Sequence, residues 1–391
     1  MDGKVRFGVI GSAGLIGNYH CGVLTKGEGP YALTALCDID EPRLKEQSEK
    51  LNLPGWAKVE DFLAQGQMDA VIVATPHPLH AEYAIAAAAA RKAVISEKPL
   101  GATPGQALAM LKAFKKYKTI AGIHYQSRTQ PAIWKIKDMI RAGELGKILS
   151  IRLMGSYYKS DYYYSLGGWR GRWDLEGGAT CINQAPHDID LMCYLAAESM
   201  PAEMTARWTN VYHTTSQAED YAVAFGTFPN GVEFTLQVGL AAHGDQARIE
   251  IFGTGGTLRF ENGKITRFAR FEQDLVDFAR TYAGPNPYAA PKAEEQPLPE
   301  TDPQDPSLIH KRFAEAVLTK DRSKVLVPAE QGLWSQMLIN GVYLSQALGS
   351  KKIMLPIKPA KYDKVREALI ANAKEINRIA AKSQTGLEAK W

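Results

Sequence analysis

A short β-rich run over residues 5–10 passes straight into Gly11-Ser12-Ala13-Gly14-Leu15-Ile16-Gly17, and that junction restricts the possible folds more than any other feature. Glycines after a strand let the backbone approach a pyrophosphate closely. The helix that follows turns free N–H groups and the positive end of its dipole toward the same point. A second run, residues 33–37, ends at Asp38, where a carboxylate can accept from both hydroxyls of a ribose. The same charge repels a 2′-phosphate, so NAD is favoured over NADP. The spacing is G-x-x-G-x-x-G rather than G-x-G-x-x-G, so either the turn holds one more residue or Ala13 stands where a glycine is usual. The competing reading is a plain Gly-rich turn with a surface aspartate. Strand, turn, helix, strand and terminal aspartate in that order favour a dinucleotide site.

The pattern continues in the same grammar. Residues 70–74, inside MDAVIVATP, form a continuous apolar run of the kind found in buried parallel strands. An Ala-rich stretch predicts a helix over 78–92. Thr103-Pro104-Gly105-Gln106 is a capping box with proline at the first helical position, followed by Leu108, Leu111 and Phe114 on one face. Repeated β-α-β units imply a doubly wound parallel sheet. After about residue 127 the period changes to two: Leu149, Ile151 and Leu153 alternate with Ser150 and Arg152. Asn230-Gly231 and Asn262-Gly263, each between alternating runs, predict hairpins and an antiparallel meander in an open sheet with one covered face. Residues 284–306 hold seven of the 21 prolines and predict a connection or arm without a core of its own. Helices are expected over 308–318, 330–348 and 361–382. The class is α/β: a Rossmann sheet over 1–127, an α/β domain with an open, mainly antiparallel sheet over 128–357, and a helical extension over 358–391.

Composition removes other classes. At 391 residues with 45% hydrophobic and 23% charged, the chain has the make-up of a folded globular protein. A net charge of +4 is too small to suggest a nucleic-acid partner, and the basic residues of 112–118 alternate with apolar ones as on a solvated helix face. Four scattered cysteines without a C-x-x-C pair argue against a disulfide framework or a structural zinc knot and suit a reducing compartment. No run of about 18 apolar residues predicts a membrane span. Met1-Asp2-Gly3 leads directly into the first strand, so the cytoplasm is the expected location.

The segment DAVIVATPHPLHAEYAIAAAAARKAVISEKPLGATPGQA carries Thr75-Pro76-His77 with His80, then Glu97-Lys98-Pro99 at a strand end. Together with GGWRGRWDLEGGATCINQAPHDIDLM and PAEQGLWSQMLINGVYLSQALGSKKIMLPI, it makes the sequence resemble the glucose–fructose oxidoreductase/inositol dehydrogenase/MocA family over about residues 4–357. The resemblance implies hydride transfer between a nicotinamide cofactor and a secondary alcohol of a sugar, sugar derivative or cyclitol. It also implies a homodimer or homotetramer built on the open sheet. Lys98 maps onto the family lysine that reaches the substrate hydroxyl and the nicotinamide, and His187 onto its downstream histidine. The family's frequent aspartate four residues earlier is Asn183 here, a departure shared by some branches. An amide orients substrate but takes no proton.

Oxidising a carbinol requires a base for its hydroxyl proton, and a histidine with a pKa near the working pH is efficient. His187 follows Pro186 at an expected helix start, which disfavours a charged imidazole. Asn183 and His187, four apart, project together if the turn is helical. Cofactor contacts are expected from Gly11, Ala13, Gly14, Leu15, Ile16, Asp38, Arg43, Thr75, Pro76, His77, His80, Glu97, Lys98, Gln126, Trp169 and Arg170. Substrate contacts are expected from Lys98, Arg128, Tyr163, Tyr164, Arg170, Asn183 and His187. The aromatic cluster from Tyr157 to Trp173 suits the C–H faces of a carbohydrate, although at least half of it is expected in core or interface. No metal is expected, since His77 and His80 have no flanking acidic ligands. Two rival readings use the same residues: a glycosidase working by transient oxidation and elimination, and a non-catalytic dinucleotide-sensing regulator.

Overall fold

The computed structural model describes residues 3–387 apart from 28, 167, 214 and 242–246, with side chains to 373. The first part alternates strand and helix: β1 (Val5–Ile10), α1 (Leu15–Thr25), β2 (Tyr31–Cys37), α2 (Glu41–Leu51), β3 (Gly55–Trp56) and α3 (Val59–Gln65). It continues with β4 (Ala70–Val73), α4 (His77–Ala89), β5 (Ala93–Ser96), α5 (Pro104–Tyr117) and β6 (Ala121–Ile123). The six strands lie in the order β3-β2-β1-β4-β5-β6, all parallel. Helices cover both faces, which is why every residue of β4 and β5 is buried. The capping box forms one residue further out than usual. Thr103 accepts from the Gln106 amide at 3.2 Å, while the Gln106 side chain accepts from the Ala102 amide at 2.8 Å.

The second part comprises α6 (Pro131–Arg141), β7 (Ile148–Ser156), α7 (Asp161–Ser165), α8 (Pro186–Ala196), β8 (Glu203–Thr209), β9 (Tyr221–Thr227) and β10 (Glu233–Gly239). It goes on through β11 (Arg248–Gly253), β12 (Gly256–Glu261), β13 (Lys264–Phe271), α9 (Leu275–Thr281), β14 (Ala293–Glu295), α10 (Leu308–Thr319), α11 (Gly332–Ala347), β15 (Ile353–Met354) and α12 (Pro359–Leu387). Both Asn-Gly hairpins form. The sheet, ordered β14-β13-β12-β11-β7-β10-β9-β8-β15, is not the simple meander expected. β7 pairs antiparallel with β11 but parallel with β10, because the long crossover between β7 and β10 lets the chain re-enter in the same direction. Alternation specifies a face and is silent about strand direction.

One face of this sheet packs against α8 and α11, and inward residues such as Ile151, Leu236 and Val238 are buried. The other face is open, with Phe225 60% exposed. Residues 284–306 run over the surface and pair with the sheet edge only through β14. α10 returns to the first sheet, where Ile309, Phe313 and Ala316 pack with Phe7 and Tyr31. Among the described residues no helix is long and apolar enough to cross a membrane, and all four cysteines are free and buried.

Candidate active site

The glycine turn is tight for two distinct reasons. Gly11 has φ +82°, and a Cβ there would stand 2.6 Å from the Ala74 carbonyl oxygen. At Gly17 a Cβ would fall 1.9 Å from the Gly11 carbonyl oxygen, so this glycine sets the approach of α1 to β1. Gly14 caps α1 under no such pressure. Ala13 donates its amide to Asp38 Oδ2 at 2.9 Å, and Asp38 Oδ1 accepts from the Asp40 amide at 2.9 Å. Asp38 therefore braces the turn with one lone pair of each oxygen and faces a cavity of 440 Å³ lined also by Gly11, Gly14, Arg43, Thr75 and Pro76.

A second cavity of 420 Å³ shares Gly14, Arg43, Ala74, Thr75 and Pro76 with the first. Its walls include Leu15, Ile16, His77, His80, Glu97, Lys98, Tyr163, Trp169, Arg170 and Asn183. α1 opens with no side-chain cap and no acidic residue in its first turn, so its amides are free for an anion. Leu15 and Ile16 stand exposed beside it. A cleft that runs from a carboxylate, past a bare helix N-terminus, to a lysine fits an extended dinucleotide.

Lys98 follows β5 at the carboxyl end of the sheet, and its Nζ donates to the Asn183 carbonyl at 2.8 Å and approaches Asn183 Oδ1 at 3.4 Å. Asn183 lies in a single wide helical turn, Thr180–Gln184, directly before α8. Its Nδ2 donates to Glu176 Oε1 and to the Tyr163 hydroxyl. Burial lowers the Lys98 ammonium from its ordinary value, against the opposing pull of Glu97 and Glu176. His77 Nδ1 donates to the Glu176 carbonyl at 3.0 Å with its ring against Trp169, and His80 bridges the Thr75 and Pro99 carbonyls. Arg170 lies over the rings of Trp169 and Tyr163.

Several expected site residues lie elsewhere. Arg128 is 3% exposed, bidentate to Asp190 at 2.7 Å, bonded to Gln331 and stacked on Tyr194 and Trp334. Three of its five N–H groups are used within the protein and it lines neither cavity, so the structure gives it a bracing place rather than one at the substrate. Tyr164 is buried against His213, away from the cleft. Gln126 is exposed on a turn outside it, where its carbonyl accepts from Gln304. Glu97 lines the cleft wall, but its oxygens accept from His20, His124 and the Lys98 amide and do not reach for a cofactor.

His187 does not line either cavity. It is half-buried with its ring 5.6 Å from Tyr125 and its Nδ1 enclosed without a partner. Burial first, and the Lys98 charge second, push it down to about 3, far from the near-neutral value expected of a base.

Two carboxyls escaped notice in the sequence. Glu176 accepts from the Gly171 amide and from Asn183, and burial pushes it up to about 8. Glu219 accepts from the Ala179 and Cys181 amides at 3.0 and 2.8 Å and from the Tyr343 hydroxyl at 2.8 Å, which pins the turn carrying Asn183. The only local sign was an acidic residue directly before Gly177-Gly178.

The chain matches two family models. One is described as an oxidoreductase family with an NAD-binding Rossmann fold, over residues 5–125, and the other as a GFO/IDH/MocA C-terminal domain, over residues 133–259. A levoglucosan dehydrogenase of Pseudarthrobacter phenanthrenivorans is 31% identical over 56% of this chain and 63% of its own length. A myo-inositol 2-dehydrogenase of Thermotoga maritima is 28% identical over 67% of this chain and 77% of its own. A solved WlbA dehydrogenase from Chromobacterium violaceum, in complex with NADH and UDP-GlcNAcA, has a TM-score of 0.75 at 26% identity, covering 92% of this chain and 98% of that one. Fold and cleft define an oxidoreductase with a dinucleotide-binding Rossmann sheet. The chain belongs to the Gfo/Idh/MocA family.

Proposed function

We propose that the protein is an NAD-dependent dehydrogenase that takes hydride from a secondary alcohol of a sugar, sugar derivative or cyclitol. The observation that carries this reading is Lys98 Nζ, 2.8 Å from the Asn183 carbonyl in a cavity wall continuous with the glycine turn. The names of the levoglucosan and myo-inositol dehydrogenases support the substrate class. Residues 1–127 would hold the cofactor and 128–357 most of the substrate wall.

The nicotinamide, when bound, accepts the hydride. Lys98 hydrogen-bonds the reacting oxygen and stabilises the charge that grows on it as its proton leaves. His187 takes that proton only once substrate brings its ring to the cavity wall and relieves the enclosure that holds it down to about 3. Asn183 orients the alcohol from the other side of Lys98, and its amide is itself fixed by Glu176 and Tyr163. Tyr163 and Trp169 supply apolar surface for the C–H face of a ring. Asp38 favours NAD, because a 2′-phosphate would meet its carboxylate; Arg43, the residue that would welcome such a phosphate, is paired with Asp40 at 3.4 Å.

The test is a panel of sugars and cyclitols with NAD and NADP, followed by nicotinamide absorbance. Turnover is expected with NAD on at least one polyol, and Lys98→Ala is expected to lower kcat by about 10²–10³, the usual effect of losing an oxyanion donor. A Lys98→Ala enzyme within a few-fold of wild type on that substrate would remove the role given to Lys98. Tighter binding of NADPH than NADH would remove the role given to Asp38. Aglycone release without net NADH would point to a glycosidase.

A further inference from the structure

Behind the cleft wall, three histidines from remote parts of the chain meet. His20 lies on α1, His124 directly after β6, and His310 on α10. All three are buried, with ring centroids 4.6, 5.1 and 5.5 Å apart. One ring nitrogen from each lies within 4.8 Å of the other two. Glu97 closes the cluster, accepting from His20 Nε2 at 3.0 Å and from His124 Nδ1 at 2.8 Å.

The hydrogen bonds dictate where the protons sit. A carboxylate only accepts, so His20 carries its proton on Nε2 and His124 on Nδ1. His20 Nδ1 is then a lone pair, 2.9 Å from His310 Nε2, which must donate to it. Lone pairs remain on His124 Nε2 and His310 Nδ1, and both atoms are buried without a partner. Burying two imidazole acceptors unused is costly, and a cation that draws the His310 ring off His20 Nδ1 meets one lone pair on each of the three rings.

We propose that His20, His124 and His310 form a binding site for a divalent transition metal ion of the zinc class, with Glu97 as the carboxylate that orients two of the imidazoles. Imidazole nitrogens around a carboxylate suit zinc and cobalt(II) better than magnesium or calcium, which take oxygen ligands. Zinc–nitrogen bonds of about 2.0–2.1 Å place ligand atoms roughly 3.3 Å apart, so the cluster closes on an ion through small side-chain shifts. A hydrogen-bonded carboxylate behind a ligating histidine is a common way to fix its tautomer and raise its basicity.

The cluster is buried, and with three imidazoles a water completes a four-coordinate ion. It ties α10, which arrives from beyond the second sheet, to the helix that begins at the glycine turn. Through Glu97, whose Oε2 accepts from the Lys98 amide at 3.1 Å, it also braces the cleft floor.

The experiment uses tag-free full-length protein, stripped with chelator and titrated with cobalt(II), then with zinc(II). One equivalent per chain is expected, with the intense visible bands of four-coordinate cobalt, their loss on adding zinc, and a rise of several degrees in the melting midpoint. His124→Asn and His310→Asn should each weaken binding by about tenfold or more, while His77→Asn should leave it unchanged. X-ray absorption of the wild-type zinc form should count three imidazoles, a reading that does not depend on any variant folding. Less than about a tenth of an equivalent bound, two or fewer imidazoles around the ion, or full binding in His310→Asn would overturn the site and leave a neutral hydrogen-bonded cluster.

Discussion

Lys98 and His187 act on each other before any substrate arrives. Lys98 takes its place from the strand end and from the Asn183 carbonyl, and its charge adds to burial in pushing His187 down to about 3. An imidazole so placed is uncharged across the range in which a dehydrogenase works. Held there it is too weak a base to take the alcohol's proton, and it has no titration of its own near neutrality. The expected kcat/KM profile therefore lacks the acid limb that an ordinary histidine draws near pH about 6.5. A limb centred there that vanishes in His187→Asn would show the imidazole titrating normally and overturn its enclosure. Identity at this scale was readable because Lys98 and Asn183 sit in distinctive local strings. Environment was not. The sequence places His187 four residues after Asn183 but does not show that the wide turn at Thr180–Gln184 leaves only Asn183 on the cavity wall.

Elements carry the next kind of information, and Arg128 shows where local reading stops. It was expected at the substrate, yet it joins the turn before α6 to Asp190 on α8 and to Gln331 ahead of α11. Sixty-two residues separate the arginine from the aspartate, and nothing in either neighbourhood announces the other. Breaking such a pair strands a buried charge, so Arg128→Met is expected to cost about 3–5 kcal/mol, while Arg128→Met with Asp190→Leu recovers most of the loss. Urea unfolding of the two variants and wild type decides it; a single variant within about 1 kcal/mol of wild type would return Arg128 to the list of free, cleft-facing candidates. By contrast, β1, β2, β4, both Asn-Gly hairpins and the start of α5 followed from periodicity and turn chemistry, which act over a few residues, whereas the short β3 and β6 gave no such pattern. The parallel β7–β10 pair, the return of α10 and the meeting of His20, His124 and His310 depend on contacts across the chain and left no local mark.

At the scale of the whole molecule, the buried carboxyls around the Asn183 turn tie stability to pH. Glu176 is raised from 4.5 to about 8 and Glu219 from 4.5 to about 7, in both cases chiefly by burial. Between the unfolded and folded values the native protein holds protons that the unfolded chain has released, so stability falls as pH rises through that window. His187 acts in the opposite sense, since a value lowered from 6.5 to about 3 makes stability climb with pH, but only up to about 6.5, where the unfolded histidine is already neutral. Above that point the carboxyls act without this opposition. Each pKa unit is worth about 1.4 kcal/mol, so the loss from pH 6.5 to 8 is on the order of a few kcal/mol. Calorimetry across this range should show the melting midpoint dropping, and Glu219→Gln should flatten the drop because a neutral amide cannot be forced to ionise in place. The variant keeps an oxygen for one of the Ala179 and Cys181 amides and so can hold the turn in part. A midpoint that rises over the same range, or a slope unchanged in Glu219→Gln, would mean that these carboxyls ionise freely. The turn that positions Asn183 against Lys98 would then be held by charge, and its geometry would have to survive alkaline pH better than the neutral form allows.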